Sequence, residues 1–253
     1  MDEHMVGTLM STIELIASTL DTAPDSWRDQ LQAIRNITAT LELLDDTPNQ
    51  VRKHWQLPLI SVFQRVAYAD ADNGGVLDIA NWCLRQMLRL LLVHPDDVDL
   101  LALVGWNWLL RSQKFLARIH CAEWESVSSE TSQIHSLSQS EEQRQAITAA
   151  VQAEDRLQTA DYVEARGTLL PAVDYLRRAT AVAQAQEKIT GLLLSNTAEA
   201  CMSLGNVSSP RINHKYFTEA LAYLRVASDI PNYSLPLHLQ QYLEEYGPLE
   251  SRD

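Results

Sequence analysis

The sequence predicts an all-α fold, and three observations support this prediction. Apolar residues recur at intervals of three and four along most of the chain, which is the period of an amphipathic helix. The 253 residues include only 8 Gly and 9 Pro, so few positions interrupt long regular elements. No window of four to eight residues combines alternating hydrophobicity with enrichment in β-branched residues. We therefore expect helices joined by loops and essentially no sheet.

The first helices are predicted from this apolar spacing. Residues 5–19 and 26–44 each place their apolar side chains on one helical face. The dipeptide at 47–48, Thr-Pro, is typical of a helix cap followed by the first helical residue. We expect Pro58 to kink or end the helix that starts there, because proline cannot donate the backbone hydrogen bond. Another helix is expected over 62–69.

The next breaks are marked by loop residues and acidic caps. The sequence DADNGG at 70–75 predicts a loop, and a helix is expected over 76–93. Asp96 and Asp97 then stand where carboxylates favour the positive end of a helix. We expect that helix and a second, partner helix to carry the chain to Glu125.

A serine-rich segment divides the chain into two helical regions. Residues 126–140 have Ser or Thr at eight of fifteen positions and no wide apolar face, which favours a connector. The N-terminal helical region is then 1–125, and the C-terminal helical region is 141–253. In the latter, Ser140 with Gln143 forms a capping-box pattern for a helix to about residue 159. The remaining helices are expected at 161–186 with a kink at Pro171, and at 189–204, 215–229 and 235–246.

Two stretches of the C-terminal region resemble each other. Residues 171–180, PAVDYLRRAT, and residues 219–228, EALAYLRVAS, share Ala, Tyr, Leu, Arg and Ala in register. Small residues at fixed helical positions let a neighbouring helix approach closely. Repeated helix pairs of this kind stack to bury a continuous core.

These residues resemble the tetratricopeptide repeat, a helix pair with bulky, small and aromatic residues at set positions. The best window is 98–131, with Pro95 at the spacing expected for the end of a preceding repeat. This window supplies Leu101, Val104, Gly105 and Trp108, with Ala117 in the second helix. A second window supplies Leu194, Thr197, Ala198, Cys201 and Gly205, then Ala220, Leu224 and Ala227. It departs from the family because about ten extra residues near 207–216 would have to lengthen the turn.

The resemblance implies antiparallel helix pairs stacked as a right-handed superhelix with a concave, partner-binding groove. An irregular helical bundle is the alternative fold. The implied groove positions are Asp99, Ala102, Trp106 and Leu109 in the best window, and Leu192, Ser195, Asn196, Glu199 and Met202 in the second. Trp106 is the expected anchor. Family members that clamp a carboxyl terminus use Lys and Asn at positions where this chain has Ala102 and Trp106, so such a clamp is not expected.

No residue pattern predicts catalysis, a metal or a cofactor. The seven His residues are scattered, and His120 next to Cys121 lacks a second pair at zinc-binding spacing. The loop that starts at Asp70 lacks the closing Glu of a calcium site, since Asn81 stands there. Asp96, Asp97 and Asp99 fit a helix start better than a magnesium motif. Glycine-rich phosphate loops and nucleophile elbows do not occur.

Charge and cysteine content bound the partners and the compartment. The net charge of −13 disfavours a broad nucleic-acid-binding face. Cys83, Cys121 and Cys201 are far apart and odd in number, which indicates reduced core thiols of an intracellular protein. The acidic N-terminus does not resemble a signal peptide, and no apolar stretch is long enough to span a membrane. We expect a cytoplasmic or nuclear location.

The sequence therefore predicts an interaction adaptor or complex subunit that binds a protein partner. The expected ligand is a peptide or helix held in the groove. Two alternatives stay open at this point. One is a helical enzyme or accessory protein of small-molecule metabolism with a pocket at the bundle centre. The other is a structural subunit that covers its exposed apolar surface by self-association.

Overall fold

The computed structural model describes residues 3–43, 52–130, 151 and 154–250. Within these ranges no residue lies in a strand, which confirms the prediction of an all-α fold for this part of the chain. The described α-helices are α1 (Glu3–Thr22), α2 (Leu31–Glu42), α3 (Lys53–Ala67), α4 (Leu77–Val93), α5 (Val98–Glu130), α6 (Ala160–Ala185), α7 (Gly191–Asn206), α8 (Pro210–Ser228) and α9 (Leu237–Glu250). Short 3-10 helices occupy Pro24–Gln30 and Ala71–Asn73.

The chain divides into two compact units. The first comprises Met1–Arg111 and Tyr175–Lys188, and the second comprises Ser112–Asp174 and Ile189–Asp253. The helices α5 and α6 each contribute residues to both units. The division that the sequence predicts at residues 126–140 stays a prediction.

The first unit is built around α3 and α4, which pack against each other. The fully buried side chains of this core include Leu59, Ile60, Phe63 and Met87. The rings of Phe63 and Trp82 lie 5.8 Å apart between centroids and are tilted by 48°. Burying such aromatic and aliphatic surface is the main favourable contribution to folding.

A chain of polar side chains also lies in the first unit. The Asn107 amide donates to Gln64 Oε1 at 3.0 Å, and Gln64 donates to the carbonyl of Leu103 at 3.3 Å. Arg111 donates to Asn107 Oδ1 at 3.1 Å and to Asn81 Oδ1 at 2.6 Å. Buried polar groups cost free energy unless they are paired, so this network fixes the register between α3 and α5.

The second unit is organised by the α7–α8 helix pair. The connection between these helices is three residues long, Val207–Ser209. Arg166 of α6 donates to the carbonyl oxygen of Val207 at 2.8 Å and to that of Leu157 at 2.6 Å. The Tyr162 hydroxyl donates to Glu123 Oε1 at 2.5 Å, which ties α6 to α5 within this unit. Burial and the Glu123 carboxylate raise the pKa of Tyr162 to about 12.

Two predicted helix ends are wrong. The helix α3 runs through Pro58, so this proline does not end its helix. The helix α6 runs through Pro171, within the single helix that was expected over 161–186. The connector was expected from residue 126, but α5 continues to Glu130. Residues 131–150, which hold the rest of that predicted connector and the predicted start at Ser140, lie outside the described residues.

The acidic caps and the acidic turn are placed as the sequence predicted. Asp97 Oδ1 accepts the backbone N–H of Leu100 at 3.0 Å, which confirms its capping role, and its side chain is also ion-paired with Lys53. In the first turn of α4, just after the loop at 70–75, Asp78 pairs with Arg35 at 2.8 Å. Among the residues that the structure describes, no group of three His, Cys, Asp or Glu could hold a metal ion.

Candidate partner-binding surface

The helix α7 places most of the second-window candidates on one face. The Thr190 hydroxyl accepts the N–H of Leu193 at 3.3 Å and so caps the helix start. From there Leu192, Asn196 and Glu199 follow at intervals of four and three residues, which keeps them on the same side of the helix. Leu192 is 62% exposed, while Asn196, Glu199 and Met202 are partly buried. We call these four residues the α7 face.

The opposite side of α7 is buried against the rest of the second unit. The signature positions of the second window are all buried on α7 and α8. At the turn end of the pair, a Cβ atom on Gly205 would lie 2.8 Å from the Phe217 ring, so only glycine fits there without movement. One side of α7 is therefore committed to packing, and the α7 face is left with solvent contact.

Ser195 does not belong to the open part of this surface. It is 2% exposed, and its hydroxyl accepts a hydrogen bond from the Tyr233 hydroxyl at 2.8 Å. The Tyr233 ring lies directly on Gly191, where an added Cβ would stand only 2.1 Å from a ring carbon. Asn232 turns the chain into this position with a left-handed φ of 63°. The predicted groove residue is thus covered by the chain itself.

Glu199 is the charged group of the α7 face. Its carboxylate lies 3.7 Å from Nε2 of His238, at the start of α9. Burial raises the pKa of Glu199, and the neighbouring His238 opposes this shift. A half-buried carboxylate with one imidazole beside it retains the capacity to pair with a further cationic group.

The candidates on α5, Asp99, Trp106 and Leu109, lie in the first unit. Asp99 is exposed and Trp106 is partly buried, and their seven-residue spacing puts them on the same helical side. Leu109 is fully buried, so it presents no surface to a partner. Among these three, Asp99 and Trp106 keep solvent contact.

The best window of the resemblance does not form a helix pair. The pattern requires a turn between Trp108 and Ala117, whereas α5 is a single helix of 33 residues, Val98–Glu130. The second window was expected to contain a lengthened turn near 207–216. That expectation is also wrong, because Pro210 already begins α8 and most of the extra residues are helical.

The cysteines divide into two buried and one exposed. Cys83 and Cys201 are buried, as predicted, and burial raises the pKa of the Cys83 thiol. Cys121 is exposed, so the prediction of a core thiol is wrong there. Cys121 lies on the solvent-exposed side of α5, and the amino acids next to it in the sequence did not indicate this exposure.

Sequence reasoning missed two residues that lie against α7, of which one covers Ser195 and the other stands beside Glu199 of the α7 face. Tyr233 and His238 come from a segment about forty residues later in the chain, and no local periodicity links them to α7. The available signals were Asn232, which tolerates a left-handed turn, and Gly191, which leaves room for a ring.

No described helix has both the length and the apolar content that crossing a membrane requires.

No family model, no curated protein and no solved structure matches this chain.

Proposed function

We propose that this chain is an interaction scaffold that binds a peptide or helix of a protein partner along the α7 face. The observation that carries the proposal is Leu192, which is 62% exposed at the start of a face that also holds Asn196 and Glu199. An exposed leucine gives a partner an apolar contact, and the amide and carboxylate next to it give direction through hydrogen bonds.

The magnitudes suit a reversible contact. Fully burying one leucine side chain contributes roughly 1.5–3 kcal/mol. A charge-assisted hydrogen bond to Glu199 contributes about 1.5–3 kcal/mol more when water is excluded from it. The two contacts together contribute roughly 3–6 kcal/mol, whereas a micromolar Kd needs about 8 kcal/mol after the cost of association is met, so a partner segment must bury further surface along the α7 face.

We keep the tetratricopeptide-like assignment as part of the proposal, but only for the α7–α8 pair. Burial of the second-window positions supports it, because these are the positions at which that repeat packs its two helices. The uninterrupted α5 counts against an array of such pairs. The proposed scaffold therefore presents one helix-pair surface, and Trp106 is a second, separate contact candidate.

The test is capture of partners from an extract of the source cell, using a matched pair of variants. One variant carries Leu192→Asp with Glu199→Arg on the α7 face. The control carries Leu15→Asp with Glu14→Arg, which makes the same changes on α1, where Leu15 is 68% exposed and Glu14 is exposed. Circular dichroism and a urea melt confirm that each variant is folded.

The proposal predicts a protein that is captured by wild type and by the α1 control and is lost with the α7 variant. A folded α7 variant that retains every captured protein contradicts it. A third variant, Trp106→Ala, reports separately on the α5 candidate. Light scattering on the purified wild type shows whether the captured partner is a second copy of the same chain.

A further inference from the structure

The C-terminal segment, residues 230–250, lies along α7 and contacts three residues of that helix that are spaced four apart. The Tyr233 ring covers Gly191, and its hydroxyl donates to Ser195. His238 then stands beside Glu199. Residues four apart form a row along a helix surface, so the segment follows one row of α7. We call Gly191, Ser195 and Glu199 the docking row.

Few side chains of α9 are buried against the rest of the second unit. In α9 only Leu239 and Gly247 are buried among the residues whose side chains the structure describes. Leu237 is 71% exposed and Tyr246 is also exposed. The His238–Glu199 pair is partly exposed, and exposed pairs contribute little stability. The Arg225 guanidinium adds one hydrogen bond to the Gly247 carbonyl at 2.9 Å.

The net negative charge of the segment is unfavourable next to the Glu199 carboxylate. Residues 230–250 contain three Glu and no Lys or Arg, and they belong to a chain whose net charge is −13. The group that they offer to the Glu199 carboxylate is an imidazole, which is charged only when protonated. A guanidinium or ammonium at the same position would be charged at every physiological pH.

We infer that the docking row binds a partner segment that presents an aromatic hydroxyl and a cationic side chain, and that the C-terminal segment occupies this row as a tethered competitor. The partner carries an aromatic hydroxyl that takes the place of Tyr233 and a Lys or Arg that takes the place of His238. This inference depends on the proposed function, because it assigns a partner class to the same helix. Its regulatory consequence is that release of residues 230–250 strengthens partner binding.

The experiment measures binding of labelled peptides to the full-length chain by fluorescence anisotropy. The probes are synthetic peptides of residues 230–250, one with His238→Arg and one with His238→Glu. The proteins are wild type, the released variant Tyr233→Ala with His238→Ala, and the released variant with Glu199→Arg added. His214→Ala, an exposed substitution on α8, is the matched control.

The inference predicts that the arginine peptide binds the released variant at least tenfold more tightly than it binds wild type or the His214→Ala control. The glutamate peptide should bind the released variant at least tenfold more weakly than the arginine peptide does. The arginine peptide should bind the released variant with Glu199→Arg at least tenfold more weakly than it binds the released variant alone. Equal affinity of the two peptides, or equal affinity of the released variant and wild type, overturns the inference.

A second variant keeps the inference falsifiable if the released chain does not fold. His238→Ala alone alters a side chain that is largely exposed and leaves Tyr233 in place. It should still bind the arginine peptide more tightly than wild type does, by about threefold or more, and an unchanged affinity overturns the inference. A further outcome is that the peptides bind no variant while the variant with Leu192→Asp still loses a captured partner. That result would reject the tethered competitor and leave the proposed function standing.

Discussion

The helix α5 and the α7–α8 pair matched the same sequence pattern, yet only one of them is a pair. Both windows hold bulky, small and aromatic residues at the spacing of a two-helix repeat. In α5 these residues lie along one helix from Val98 to Glu130, while α7 and α8 turn at Val207–Ser209. Whether the pattern forms one continuous helix or a helix pair depends on the residues that connect its two halves.

The two connecting stretches differ in their helix stop and start signals. Between Trp108 and Ala117 the chain has neither Gly nor Pro, so nothing interrupts the backbone hydrogen bonds. Near the end of α7, Gly205 packs against Phe217, and Ser209 caps a helix that begins with Pro210. A packing pattern shows which faces are buried, and the local caps determine where a helix ends.

The largest expected effect comes from placing a breaker in α5. Gln113→Pro removes the backbone hydrogen bond to the Leu109 carbonyl and introduces a clash with it, so it should lower the free energy of unfolding by about 3 kcal/mol or more. Gln113→Ala is the control, because alanine favours a helix. Urea denaturation followed by circular dichroism gives both values. If the two midpoints coincide, α5 is interrupted at this position and the comparison fails.

The next effect tests close packing in the α7–α8 pair. Ala220 is fully buried, whereas Ala222 on the same helix is exposed. Ala220→Leu should cost about 1–3 kcal/mol through overpacking, and Ala222→Leu should cost almost nothing. The urea midpoints of the two variants provide the measurement. Equal midpoints would show that the two helices do not meet at Ala220.

A smaller effect tests the cap that starts α8. The Ser209 hydroxyl accepts the N–H of Arg211 at 3.4 Å, so Ser209→Ala should cost about 1 kcal/mol. Ser209→Gly is the matched variant and should cost only a few tenths of a kcal/mol, because glycine is tolerated at this position. An alanine variant as stable as the glycine variant would remove the cap from the explanation of the turn.

The smallest effect concerns pH and the α7 face. Burial raises the pKa of Glu199 above its ordinary 4.5, so the folded chain binds this proton more tightly than the unfolded chain does. Stability is therefore lost as the pH rises from 4.5 through the folded value. Glu199→Gln should remove this loss, which is on the order of 0.5 kcal/mol or less because the side chain is partly exposed. Urea midpoints across this pH window test the sign, and a variant that loses stability relative to wild type as the pH rises contradicts it.

Much of the fold could be predicted from local signals, since helix period is strong throughout the chain. The buried positions shared by 171–180 and 219–228 are an example, because Ala172, Leu176 and Ala179 are buried like Ala220, Leu224 and Ala227. Pro58 was misleading as a possible helix end, whereas Pro171 was expected to lie inside its helix and does. Losing one donor at Pro58 or Pro171 costs less than the surrounding helix gains by packing, so both helices continue.

The candidate surface could be predicted only as far as α7 itself determines it. Leu192, Asn196, Glu199 and Met202 follow from helical spacing and do keep solvent contact. Ser195 could not be excluded in this way, because the residue that covers it, Tyr233, lies 38 positions later. Leu109 failed for a related reason, since the buried side of α5 is wider than a single apolar stripe.

The central claim, that the α7 face is the partner surface, is tested most directly by site-specific photocrosslinking. A photoreactive phenylalanine derivative replaces Leu192 in one chain and Leu15 in another, since both leucines are similarly exposed. The account predicts a crosslinked partner from position 192 that is absent from position 15. Crosslinks of equal yield from both positions, or a partner that crosslinks only from position 15, would contradict it.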